Sequence, residues 1–369
     1  MKKIALILPK FSCYGGVERF GYSLSAFLSQ NGYCVDFICS KSEVDPPKGV
    51  NVLTVGRYGL CRAGKLLWFL YAAEKMRREG NYDLCFSLGK SINQDLVRIG
   101  GGPLKAFWKL SRRAWPEGFK RNFKMLRRHL APVNAIINYV ERRQIKSGAK
   151  IICVSHRVKE WILDCYPQLA PDTIKVIYNK PDLELFTPMD NSRRIKIRSD
   201  EGLSADDIII STATTNFALK GVETLIRTLP LLPSNFILHV AGNRNPARYH
   251  KLAKSLGVDE RVRFMGRVDR MVNFYGASDV FVLPSFYDAC SNSVLEALAC
   301  GLPVISSKDN GSSYFLPADR VINDPADYKT LAAMIKDAAG KRSIEPFDWP
   351  EDIDSGFEPY LKIIRDKIG

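Results

Sequence analysis

Short apolar runs, many of them β-branched or aromatic, alternate along this chain with segments whose apolar residues return every three to four positions. In the first half the runs are 3–8 (KIALIL), 35–40 (VDFICS), 83–88 (DLCFSL) and 150–155 (KIICVS). In the second half they are 208–213 (IIISTA), 236–241 (FILHVA), 261–266 (RVRFMG), 279–285 (DVFVLPS) and 302–307 (LPVISS). Runs apolar throughout, bounded by Gly or polar residues, predict strands buried on both faces of a parallel sheet. Between them lie helical patterns such as GVETLIRTLPLL after Lys220 and YHKLAKSLG before Asp259. Strand and helix in alternation predict βαβ crossovers and doubly wound sheets.

The alternation breaks once, at 175–194, where Pro181, Pro188 and an Asn-rich patch suit a linker. The expected organisation is an α/β chain with two Rossmann-like, doubly wound parallel-sheet domains, 1–178 and 179–345, facing a cleft at the carboxyl ends of their strands. A Pro- and acid-rich tail, 346–369, ends in one short amphipathic helix expected to pack back on the first domain. A length of 369 residues agrees with two domains.

Of nine cysteines no two stand at CxxC spacing, and most lie in apolar runs, so buried thiols in a reducing compartment are expected. The apolar run before Pro9 is five residues, too short for a signal peptide, and Leu66–Ala73 is too short to span a bilayer. A cytosolic protein is expected. The net charge is +15, and residues 105–146 hold twelve Lys/Arg (105, 109, 112, 113, 120, 121, 124, 127, 128, 142, 143 and 146) against Glu117 and Glu141, a local balance of +10. Phe107, Trp108, Trp115, Phe119 and Phe123 interleave with these charges. The mixture suits an anionic membrane surface or a lipid-linked anionic acceptor better than nucleic acid, which is set aside; a solvated helical face is the plain alternative.

Three loops carry candidate chemistry. Gly15 and Gly16 stand between the first strand and a helix, where a ligand can approach the backbone, though a tight turn needs the same residues. The third glycine of a dinucleotide fingerprint is missing. Lys220 and Gly221 follow the strand 208–213 and open a helix, where a lysine can meet phosphate or simply face water. The stretch SFYDACSNSVLEALACG (285–301) joins a strand to a helix at the end of the sheet where ligands collect. Ser293-x-x-Glu296 reads as a capping box there, which leaves Asp288 without a structural duty. The four histidines form no metal spacing: His239 reads as core and His156 as a neighbour of a helix cap. Asp352-Ile-Asp354 lies in the acidic tail and reads as solvated.

The segment PSFYDACSNSVLEALACGLPVISS (284–307), with GGVER, KSINQDLVRIGGG, VSHRVKEWI, VIYNKPDLELF, NFALKG and FMGRVDRMVNFYGASDVFVLPS in family order, resembles family 4 glycosyltransferases of the GT-B fold, in particular those that build lipopolysaccharide cores. The resemblance implies a retaining, metal-independent hexosyltransferase that needs no cofactor beyond its donor, a nucleotide-diphosphate sugar expected to be UDP-linked. It implies a lipid-linked glycan acceptor such as lipopolysaccharide core, received by the first domain, and a peripheral place on the cytoplasmic face of the membrane. Residue by residue, it implies that Glu296 binds the donor ribose, Asp288 the transferred sugar and Lys220 the diphosphate. Gly221, Ser291, Asn292 and Ser293 would line the phosphates, and Gly15 and Gly16 would close over the donor. Asp288 and Lys220 are the catalytic candidates. The chain departs from the family where Asp288 replaces a usual Glu, Leu219 a frequent Arg, and Leu104 a frequent His after the triple glycine. Those departures support one alternative, a catalytically silent nucleotide-sugar-binding scaffold of the same fold.

Overall fold

The computed structural model describes the backbone of residues 1–369 and every side chain except that of Lys120, one of the twelve basic residues singled out above. Two compact units divide the chain: unit 1 holds Met1–Trp108, Glu117–Asn179 and Asp352–Gly369, and unit 2 holds Lys109–Pro116 and Lys180–Glu351. Residues 109–116, expected with the first domain, therefore group with the second.

Unit 1 opens with β1 (Lys3–Ile7), β2 (Lys10–Phe11), α1 (Gly16–Gln30), β3 (Cys34–Cys39), β4 (Lys41–Ser42) and β5 (Val50–Thr54). It continues with α2 (Arg62–Glu79), β6 (Leu84–Ser87), β7 (Leu96–Ile99), α3 (Leu104–Ser111, whose last three residues group with unit 2), α4 (Phe119–Leu130) and α5 (Pro132–Lys146). Then follow β8 (Lys150–Cys153), α6 (His156–Cys165) and β9 (Ile174–Val176). Its main sheet runs β5-β3-β1-β6-β7-β8-β9, and all its pairings are parallel. The central strands β1 and β6 are buried on both faces, as their unbroken apolar runs require.

Unit 2 holds α7 (Asn191–Asp200), β10 (Ile208–Ala213), α8 (Val222–Thr228), β11 (Phe236–Ala241), α9 (Ala247–Ser255) and β12 (Val262–Gly266). After them come α10 (Met271–Ala277), β13 (Val280–Leu283), α11 (Asn292–Ala299), β14 (Val304–Ser307), β15 (Val321–Ile322) and α12 (Tyr328–Ala338). The sheet order is β12-β11-β10-β13-β14-β15, again parallel throughout. The order reverses direction between β10 and β13, and loops leaving the carboxyl ends of those two strands carry the candidate site.

The tail helix α13 (Glu358–Ile368) returns to unit 1, where Tyr360, Leu361 and Ile364 join the core of Ile4, Leu6 and Phe86. Arg98, inside β7, is buried because its guanidinium stacks on Phe20 at 3.8 Å and donates to Tyr360 Oη and Asn179 Oδ1. The stretch 175–194, read as a linker, contributes the end of β9 and the first turn of α7, whose N-cap Asp190 accepts from Arg193 N. All nine cysteines are free, but Cys61 is exposed and Cys13, Cys34, Cys165 and Cys290 are half-buried; only Cys39, Cys85, Cys153 and Cys300 are buried as expected. Cys61 is outside because it caps α2, its Sγ accepting from Gly64 N, rather than filling the apolar run that follows it.

Candidate functional site

Gly221 fixes the geometry of the first loop. Its φ is +71°, and a Cβ built there would stand 2.3 Å from the Pro284 carbonyl oxygen, so only glycine lets the start of α8 rest on the end of β13. Phe286 N donates to Leu219 O at 2.9 Å across the same contact. Lys220 is thereby set against the loop after β13, and its Nζ donates to the Asp288 carboxylate and, at 3.1 Å, to Tyr287 O. The two side chains are 16% and 15% exposed, which leaves the pair reachable from solvent but poorly screened.

The main chain of Asp288 is held as well. Asp288 N donates to Asp309 O and Gly311 N to Asp288 O, both at 2.9 Å, a parallel bridge to the loop after β14. Its carboxylate is thus delivered to Lys220 from a backbone pinned on both sides.

Helix α11 differs from the sequence reading. Its N-cap is Ser291, without a side-chain cap hydrogen bond, so Ser293 lies inside the first turn and the expected capping box is not what starts the helix. Ser291 Oγ and Ser293 Oγ are 3.0 Å apart, and Ser293 Oγ donates to Ala213 O at the end of β10. A cap of that kind needs an extended Ser three positions before Glu296, and tying Ser293 to β10 instead advances the helix by two residues. One oxygen of Glu296 accepts from Tyr275 Oη at 2.9 Å. Tyr275 is fully buried, and its burial, then the Glu296 charge, push its phenol well above the ordinary range, so the tyrosine remains a donor. Sequence reasoning missed this partner, since Tyr275 reads only as one more apolar position of α10.

Lys220, Gly221, Asp288 and Ser293 are therefore gathered at the ends of β10 and β13, with Asn292 and Glu296 on the helix that leaves the same loop. Gly15 and Gly16 stand in unit 1 at the start of α1, where Gly15 has φ +97° and a Cβ would fall 2.5 Å from Glu18 Oε2. His239 is buried in β11, and burial, helped by Arg263 and Arg198, pushes it down to about 4. His156 opens α6 beside its cap Ser155, as read. Asp354 pairs with Lys175, and among the described residues no cluster of His, Cys, Asp and Glu could hold a metal ion. An apolar groove of about 760 Å³ between α2 and α5, lined by Leu67, Leu70, Tyr71, Ile136 and Tyr139, contains none of these residues. Among the described residues no helix is long and apolar enough to cross a membrane.

Residues 206–339 match the family model described as "Glycosyl transferases group 1", a span that includes every unit 2 site residue above. The chain is 22% identical over 346 residues to lipopolysaccharide glucosyltransferase WaaG of Escherichia coli (strain K12), covering 91% of this chain and 89% of WaaG. Among solved structures, WaaG, described as involved in lipopolysaccharide biosynthesis, superimposes with a TM-score of 0.76 at 20% identity over 91% of this chain and 90% of its own. Anabaena HepE in complex with UDP-glucose gives 0.65 at 17% identity, covering 91% and 89%. Residues 206–339 thus match a glycosyl transferases group 1 domain, within a chain of two units that has the fold of GT-B glycosyltransferases.

Proposed function

We propose that this chain is a retaining glycosyltransferase that moves a sugar from a nucleotide-diphosphate donor, UDP-linked, to a lipid-anchored glycan such as lipopolysaccharide core. The observation that carries the reading is the pairing of Lys220 with Asp288 beside α11, inside the matched domain. The likeness to WaaG along nearly the whole chain and to HepE, solved with UDP-glucose, supports the choice of acceptor and donor class.

In this reading Glu296, oriented by Tyr275, accepts from the ribose hydroxyls, and Asp288 accepts from hydroxyls of the transferred sugar. Lys220 and the first amides of α11 face the diphosphate, where a cation and the positive end of a helix offset the charge that grows on the leaving group. The bond between the anomeric carbon and the phosphate oxygen breaks with its electron pair staying on the nucleoside diphosphate. The acceptor hydroxyl bonds to that carbon from the same face and passes its proton to the departing phosphate oxygen. No side-chain base is required, and neither a cofactor nor a metal has a part in the proposed step.

The acceptor belongs to unit 1, and the membrane surface to residues 105–146. Support comes from α4, where Phe119, Phe123, Leu126 and Leu130 recur at helical spacing and are all exposed. Arg121, Lys124, Arg127 and Arg128 lie on the same helix, a composition that suits the anionic, cytoplasmic face of a bilayer. A thermal-shift screen against nucleotide sugars tests the donor assignment: UDP-sugars should raise the melting temperature by mass action, and no response to any nucleotide sugar would remove the reading.

A further inference from the structure

The segment between α3 and α4 takes a hold on the candidate site that the reaction above does not use. Arg113 lies on the turn Arg112–Ala114, within the stretch 109–116 that groups with unit 2. Its Nη1 donates to Asp309 at 2.8 Å and its Nη2 to Asp324 at 2.9 Å. The second pair is a surface contact of small worth, since Asp324 is 60% exposed. The first is different: the Asp309 side chain is only 5% exposed, and a buried carboxylate loses far more than a surface one when a paired cation is removed.

Asp309 is also the residue whose carbonyl accepts from Asp288 N, and Gly311, two positions on, donates to Asp288 O. Whatever moves Asp309 moves the backbone that carries Asp288. On the other side of the turn, the Trp115 ring centroid lies 5.9 Å from the Arg248 guanidinium, and Arg248 donates at 3.1 Å to Glu223 in the first turn of α8, next to Lys220. One short segment therefore meets the 308–311 loop directly and α8 through Arg248 of α9.

We propose that Arg113 is a positioning residue for Asp288, acting through the buried carboxylate of Asp309. It touches neither Asp288 nor Lys220, and its part is to keep the 308–311 loop, and the bridge that loop makes, in the register that aims the Asp288 carboxylate. Its consequence for turnover rests on the transferase reading of the previous subsection; its consequence for the loop does not.

The test uses the full-length protein and the variants Arg113→Gln, Arg113→Lys and Arg113→Gln with Asp309→Asn. Hydrogen exchange reads the loop without any need for activity. Arg113→Gln should speed exchange in peptides covering 286–291 and 308–313 by tenfold or more and leave α12 unchanged. Arg113→Lys should restore most of the protection, because it returns a cation to Asp309, and Asp309→Asn should relieve Arg113→Gln by removing the charge that needs one. In donor turnover with a lipid-linked acceptor, Arg113→Gln should lower kcat about tenfold while UDP is bound as well as or better than by wild type. Wild-type exchange at 286–291 in Arg113→Gln overturns the tether, and so does acceleration of the same size in α12, which would mean general loss of structure. Faster loop exchange with an unchanged kcat overturns the positioning role. If wild type turns over no nucleotide sugar, the transferase reading fails and the exchange pattern alone decides the tether.

Discussion

Replacing Asp288 with Asn keeps the shape of the side chain and both main-chain bonds of the bridge to Asp309 and Gly311, and removes only the charge that faces Lys220. Read from the sequence alone, Asp288 is a sugar ligand, and its loss would leave nucleoside diphosphate binding unchanged. The structure changes that expectation. Lys220 Nζ is already engaged by the Asp288 carboxylate and the Tyr287 carbonyl, so a diphosphate has to compete with Asp288 for it. At contact distance and an effective dielectric constant of about 20 the gross attraction is about 4 kcal/mol or more. Partial exposure and the hydration returned to each partner reduce the net value to about 1–2 kcal/mol. Asp288→Asn should therefore bind UDP about 5- to 30-fold more tightly than wild type, at 1.4 kcal/mol per factor of ten, while sugar transfer falls by about 100-fold. Calorimetric titration with UDP near 0.15 M salt, repeated at higher salt, measures the first quantity, and the gain should shrink as salt screens the freed ammonium. Equal or weaker UDP binding by Asp288→Asn would refute the idea that Asp288 holds Lys220 back.

Other outcomes follow from the same geometry. Glu296→Gln keeps an acceptor for Tyr275 but loses the charge proposed to meet the ribose, so stability should fall little while UDP binding weakens by about 1–3 kcal/mol, read by thermal melting and calorimetry. Phe119→Ser with Phe123→Ser should abolish sedimentation with anionic liposomes, and Arg127→Glu should weaken it by roughly 1 kcal/mol for each unit of charge lost, with UDP affinity kept in both; wild-type sedimentation would remove α4 from the membrane proposal. His239 is held neutral, its folded value of about 4 lying below the ordinary 6.5. The unfolded chain then binds the extra proton first, so stability is full above about pH 6.5 and is lost as pH falls toward 4, by about 3 kcal/mol. His239→Gln should flatten that part of the stability curve measured by urea unfolding.

The strands with unbroken apolar runs were legible in the sequence, and 208–213 and 236–241 coincide with β10 and β11 at both ends. β5 and β7 were not. Val50–Thr54 mixes polar and apolar positions at a sheet edge, and Leu96–Ile99 has a charge at its third position, which is tolerable only because Arg98 meets Phe20, Tyr360 and Asn179 from distant parts of the chain. At the candidate site, Lys220 and Asp288 could be named because each sits beside a strand end or a helix start, and Glu296 through the family resemblance. The groups that orient them could not. Tyr275 looks like core until its hydroxyl is seen on Glu296, and Asp309 and Arg113 look like ordinary surface charges until the fold buries one and brings the other to it. The capping box failed for a related reason, since the pattern Ser-x-x-Glu carries no mark of the Ala213 carbonyl that draws Ser293 away.

The central claim, that this chain transfers sugar from a nucleotide donor with Lys220 and Asp288 at the leaving diphosphate, is tested most directly by acceptor-dependent release of UDP. Wild type and Lys220→Ala are incubated with UDP-sugars and a lipid-linked lipopolysaccharide-core acceptor. The account predicts UDP release by wild type only when the acceptor is present, and a loss of about 100-fold or more in Lys220→Ala. Binding of a nucleotide sugar by wild type without acceptor-dependent release from any donor would contradict it, and would leave a protein that holds the donor and performs no transfer.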